Sequence, residues 1–196
     1  MAFLTMRASR EGGWWRRSRV LWRFWFLLWL ATPAWPAAEP TPEYQLKAVF
    51  LFNFAQFVEW PDRAFPAPDA PLVIGVLGED PFGSYLDNLV TGEKVGAHPL
   101  VVRRYRRGED PVACHILFVS ASEAELLAAT MPRLKVRSIL TVSDLEKFNR
   151  EGGMVRFVTE GGKIRLRINV EAAKACELKI SSKILRPATV VTEGKE

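Results

Sequence analysis

GGMVRFVTEGGKIRLRINVEAAKACELKISSKIL, residues 152–185, carries two periodicities in succession. Met154, Arg156 and Val158 alternate with Val155, Phe157 and Thr159, which is the two-residue period of a strand. Glu160-Gly161-Gly162 follows, and because glycine reaches the positive φ of a tight turn without steric cost, the chain reverses there. Ile164, Leu166 and Ile168 then alternate with Lys163, Arg165, Arg167 and Asn169. The pattern predicts a half-buried strand with a cationic outer face. Asn169 suits the N-cap of a helix that turns Val170, Ala173 and Leu178 inward, and Ser181-Ser182 with Ile184-Leu185 opens a last segment.

Upstream of this hairpin, strands and helices alternate. From Glu43, apolar residues recur at Tyr44, Leu46, Val49, Phe50, Phe54, Phe57 and Val58, the spacing of a helix with an aromatic stripe, and Trp60-Pro61 ends it. Such a stripe most simply buries against a sheet. Leu72–Leu77 reads as a strand, Asp80-Pro81 as the cap of a helix to about Val90, and residues 100–105 as a second strand with Arg103, Arg104, Arg106 and Arg107 at its exit. Residues 112–119, with Cys114 and His115, read as a buried central strand, and Ser122, Glu123 and Glu125 start the next helix. Residues 139–142 form a further buried strand, and Ser143-Asp144 caps a short helix to Phe148. The implied fold is α/β: a single domain with a mixed, mainly parallel sheet, helices on both faces and a C-terminal antiparallel hairpin. The tail after Pro187 is expected to fray.

The length of 196 residues suits one domain. The formal charge of +5 suggests a nucleic-acid partner until its distribution is considered. Six arginines, at 7, 10, 16, 17, 19 and 23, lie within residues 1–38 beside the single acid Glu11, and the remainder holds 21 basic and 21 acidic residues. A neutral domain lacks the clustered positive charge that releases counterions from phosphate backbones, so no nucleic acid is expected as a partner. Arginines 16, 17, 19 and 23 precede an uncharged run of 15 residues, 24–38, that ends in Pro33, Pro36, Ala37 and Ala38. That is the anatomy of a signal peptide, residues 1–38, cleaved near Ala37 or Ala38. A spanning helix wants about 20 apolar residues, so no stable membrane insertion is expected after cleavage. The cleavage site and the choice of Met1 or Met6 as start remain open.

Catalytic signatures are absent from the sequence. The glycines at 75, 78 and 83 fit neither a dinucleotide loop nor a P-loop, and there is no G-x-S-x-G, H-E-x-x-H or C-x-x-C. His98 and His115 are the two histidines, and Cys114-His115 side chains must point to opposite faces of a strand, which makes them a poor metal site. No catalytic residue, metal or cofactor is assigned, and the expectation is a protein that is not an enzyme. Cys114 and Cys176 could bridge only if the helix bearing the second packed near the amino end of the strand bearing the first, and otherwise they are small buried hydrophobes.

Several of these segments together resemble the YfiR family. They are GGM at residues 152–154, the R-x-R-I-N run and the alanine-rich turn after it, ISSKIL at 180–185, AVFLFNFAQFVEWP at 48–61, CHILFVSASE at 114–123 and ILTVSD at 139–144. The resemblance implies that residues 39–196 are a single YfiR-like periplasmic domain. It also implies that the protein restrains a membrane-bound diguanylate cyclase by binding the cyclase's periplasmic domain at the inner membrane, and so lowers cyclic di-GMP signalling and regulates biofilm formation. Relatives can carry cysteines elsewhere, including the first strand where this chain has Gly75, so the resemblance transfers no disulfide. The rival reading is a periplasmic small-molecule sensor or carrier, with its pocket outside the carboxyl ends of the parallel strands near Gly78, Ser120 and Ser143. Pairing with a second copy is left open. For partner binding the residues singled out are Lys163, Arg165 and Arg167, extended by Arg103 and Arg104 if the two strands share an edge; cations that simply keep a strand face soluble account for the same pattern.

Overall fold

Pro42 begins α1 (Pro42–Phe57), where its fixed φ suits the first helical position and Glu43 complements the dipole. Lys47, Ala48, Leu51, Phe54 and Ala55 recur at helical spacing and form its buried face. The helix stops where Val58–Glu59 extends and pairs, as β1, antiparallel with β9 (Lys179–Ile180). These features belong to a computed structural model that describes residues 39–111 and 113–192, within a compact unit of residues 38–196. The signal-peptide reading of residues 1–38 falls outside the described residues.

The remaining elements are β2 (Leu72–Leu77), α2 (Ser84–Val90), β3 (Lys94–Val95), β4 (His98–Tyr105), β5 (Ile116–Val119), α3 (Leu127–Leu134) and β6 (Leu140–Ser143). They continue with β7 (Val155–Glu160), β8 (Lys163–Asn169), α4 (Val170–Ala175), α5 (Ser182–Leu185) and β10 (Thr189–Val191). Eight strands form one sheet in the order β10-β8-β7-β6-β5-β2-β4-β3. The sheet is parallel except at β7–β8 and at β3–β4. Alternation along β2 sends Leu72, Ile74 and Val76 into an apolar layer with α1, α2, α4 and α5, while Val73 and Leu77 join the other layer with α3 and Phe148. The α/β architecture with helices on both faces is therefore as the sequence implies.

The hairpin is the segment that follows its sequence signals best. Gly161 and Gly162, at φ +57° and +72°, make the turn, and the register pairs Val155 with Ile168 and Glu160 with Lys163. Asn169 caps α4 by accepting the Ala172 N–H at 2.9 Å.

Other local expectations need correction. Asp80 does not cap α2: its carboxylate accepts the Phe82 N–H two residues on, at 2.8 Å, and this turn delays the helix to Ser84. The central strand begins at Ile116 rather than at 112, and the helix expected from Ser122 opens as a 3-10 segment, Ala121–Leu126, before α3. After Ser143 the chain forms turns rather than a helix to Phe148, because the Asp144 carboxylate that should cap it is held by Lys47 and Tyr44 of α1. Of the tail expected to fray, Thr189–Val191 instead forms β10, which pairs parallel with β8, while residues 193–196 lie outside the described residues.

Candidate functional site

Lys163, Arg165 and Arg167 share the face of β8 turned away from α1. The antiparallel register sets Arg156, Val158 and Glu160 of β7 beside them, and β10 adds Thr189 and Val191 on the other side. Arg167 lies 3.5 Å from Glu160, while Lys163 and Arg165 are exposed. The apolar layer built on α3 draws on β2, β4 and β5 but on no residue of β7, β8 or β10. This half of the sheet face therefore has no apolar cover among the described residues. An open cleft of about 580 Å³ runs along it, lined by Arg165, Arg167, Thr189 and Val191 among others.

Arg103 and Arg104 do not extend this surface. β4 and β8 are separated by β7, β6, β5 and β2, roughly 24 Å at the usual strand spacing of about 4.8 Å. The condition that the strands share an edge is thus unmet, because strand order is set by crossovers that no local pattern displays. Arg104 is also committed elsewhere: it contacts Asp80 Oδ2 at 2.7 Å, Asp87 Oδ2 at 2.5 Å and the Gly83 carbonyl at 2.9 Å. The hydrogen bond that Arg104 donates to Asp87 is the largest cause of its raised pKa, with Asp80 assisting against the cost of burial. Arg104 therefore ties the start of α2 to β4. Arg103 points to the opposite sheet face and is exposed.

The carboxyl-end crevice expected for a small molecule is narrowed at Gly78 by the protein's own side chains. Gly78 has φ +88°, and a Cβ there would lie 2.3 Å from Ser122 Oγ and 2.8 Å from Glu123 Oε1. Ser122 accepts the Glu79 N–H at 2.9 Å, and Glu123 is only 2% exposed. Ser143 Oγ donates to the Val119 carbonyl at 2.7 Å and accepts the Leu145 N–H at 3.1 Å. These side chains brace the strand ends.

Two polar clusters escaped the sequence reading. Lys47, 2% exposed, bridges Glu43 at 2.7 Å and Asp144 at 2.6 Å, and the Tyr44 hydroxyl donates to the same Asp144 oxygen at 2.9 Å. Burial first, then the Asp144 charge, pushes the Tyr44 phenol up to about 12, while the Lys47 hydrogen bond is the main cause holding the Glu43 carboxyl below its usual range. At the amino ends of the strands, Trp60 and Phe65 pack against His115, and Phe65 also stacks on His98. A lysine in an aromatic helix and two distant histidines give no local signal of either meeting. Cys114 joins the α3 layer while His115 turns from it to Phe65, although both stand just before β5 rather than within it, and no group of three metal-ligating side chains occurs among the described residues.

Residues 44–189, from the first turn of α1 to the start of β10, match the family profile described as YfiR/HmsC-like. The chain belongs to that family. YfiR/HmsC-like proteins are associated with periplasmic regulation of cyclic di-GMP signalling and are non-catalytic regulators. No curated protein matches the chain significantly. The YfiR/HmsC-like match takes in Lys47 with Asp144, both histidines and the whole hairpin, and leaves residues 1–43 outside it.

Proposed function

We propose that this chain is exported to the periplasm through residues 1–38 and there restrains a membrane-bound diguanylate cyclase by binding the cyclase's periplasmic part. The observation that carries the reading is the YfiR/HmsC-like match over residues 44–189. The uncovered cationic face of β7, β8 and β10 supports it, because a regulator without chemistry needs a surface its own fold leaves unused. Lys163, Arg165 and Arg167 are its docking cations, while Arg103, at the other end of the sheet, serves as a control.

Such a binder acts only through its difference in affinity for the active and inactive conformations of the cyclase. A tenfold bias needs about 1.4 kcal/mol, and near-complete silencing several times that. Reversing Lys163, Arg165 and Arg167 to glutamate is expected to leave thermal unfolding nearly unchanged and to raise cellular cyclic di-GMP, whereas Arg103→Glu leaves it at the wild-type level. A triple variant that folds and represses normally would remove this face from the reading. Loss of export of a reporter fused to residues 1–45 would remove the periplasmic site of action.

A further inference from the structure

The uncovered half-face has definite dimensions. β7, β8 and β10 span roughly 10 Å between the axes of the outer strands at about 4.8 Å each, close to the 10–12 Å diameter of one helix with its side chains. β8 contains seven residues, roughly 23 Å of strand, which a helix of about 15 residues matches. Val158 and Val191 supply apolar patches on the outer strands, and the aliphatic stems of Arg165 and Arg167 extend them across β8 between these strands. On this face β8 presents Lys163, Arg165 and Arg167, and β7 sets Glu160 beside them.

We propose that this half-face receives a single acidic amphipathic helix of the cyclase's periplasmic part, lying on the sheet as α3 lies on the neighbouring half. The inference rests on the regulatory reading above. The apolar stripe of the incoming helix covers Val158 and Val191, and its flanking carboxylates meet the guanidinium forks of Arg165 and Arg167, which suit paired oxygens. Charge rejects two other occupants. The leader carries six arginines and one acid, and a symmetric pairing through this face of a second copy would set Arg165 and Arg167 against their own equivalents.

The test uses the purified chain, the intact periplasmic part of the cyclase and 20-residue peptides tiling that part. One acidic amphipathic tile should bind and gain helical circular dichroism. Arg165→Glu/Arg167→Glu and a rise from 0.05 to 0.5 M salt should each weaken that binding at least tenfold, and Arg103→Glu should leave it within twofold. The exposed Arg165→Gln alone, which preserves shape, should weaken it about threefold, so the proposal does not depend on the folding of the double variant. No binding tile, a tile that binds without gaining helix, or equal binding to the arginine variants would overturn the proposal. Intact cyclase part that binds wild type and double variant alike sinks the helix inference and leaves the regulatory reading standing; failure to bind either sinks both.

Discussion

Phe65 lies face to face on His115, with ring centroids 4.4 Å apart and planes inclined by 21°. His98 stacks on the same ring at 3.8 Å, so both imidazoles of the chain meet in one aromatic column at the amino edge of the sheet. His115 Nδ1 accepts the Val73 N–H at 3.1 Å, which leaves its proton on Nε2, where it is donated to the Ala64 carbonyl at 3.2 Å. A neutral His115 thus fastens the segment between α1 and β2 onto the sheet.

Burial is the main cause that lowers the His115 pKa, and the nearby His98 adds to it, while the bond to Ala64 opposes both. Its other neighbours, Trp60, Ala64, Phe65 and Val73, are uncharged. The unfolded chain takes up this proton near pH 6.5 while the folded chain resists it, so the unfolded state binds more protons below that pH. The stability from His115 is present above about pH 6.5 and is lost as pH falls, by at most about 1.4 kcal/mol per pH unit. Urea unfolding from pH 7.5 to 5 should show that decline, and His115→Gln should flatten it. An unchanged slope in the variant would assign the decline to other groups.

A buried ammonium predicts a different signature at α1. Asp144→Ala leaves Lys47 inside the protein with Glu43 as its remaining acidic partner among the described residues, at a cost of about 3 kcal/mol, the low end for a broken buried pair because Asp144 retains some exposure. Adding Lys47→Met removes the stranded charge and should recover more than half of the loss. A double variant no more stable than Asp144→Ala would show that the cluster acts by packing alone. Denaturant midpoints at constant m-value make the measurement.

The hairpin and its cap were legible because each is encoded within a few residues: alternation fixes the faces of β8, two glycines fix the turn and Asn169 fixes the start of α4. The two-residue strands β1, β3 and β9 have no period to detect, and β10 becomes a strand only because β8 offers it an open edge. Asp144 was misread for a related reason. Its side chain has the chemistry of a cap, but a lysine nearly a hundred residues away claims it. The same non-locality hid the distance between Arg104 and Arg165, so the cationic strand was visible in sequence while the limits of its surface were not.

Gly153 packs against the ring of the fully buried Phe148. A Cβ at this position would lie 2.3 Å from two ring carbons, and Asn149 holds the Gly153 carbonyl at 3.0 Å, so neither partner moves freely. Gly153→Ala is expected to destabilise by about 1–3 kcal/mol, the range of an overpacked core. Phe148→Leu combined with it should restore part of the loss by making room. Equal instability of single and double variants, read from thermal unfolding, would place the requirement in the backbone instead.

Cys114 belongs to the apolar layer under α3, and Cys176 to the layer under α1. Both are free thiols: Cys114 Sγ donates to the Pro111 carbonyl at 3.3 Å, and Cys176 Sγ to the Lys135 carbonyl at 3.1 Å. Burial pushes the Cys114 thiol up to about 12 and raises that of Cys176, so little reactive thiolate forms at neutral pH. A thiol reagent at pH 7.5 should modify the native protein slowly, and Cys114 the more slowly of the two. Unfolding in denaturant without reductant should expose two thiols per chain. Cys114→Ser and Cys176→Ala should each still lower cyclic di-GMP in cells, since neither sulfur reaches the cationic face of β8. Fewer than two thiols in unfolded protein, together with lost regulation in either variant, would mean that the exported chain is oxidised into a bridge that this arrangement of layers does not contain.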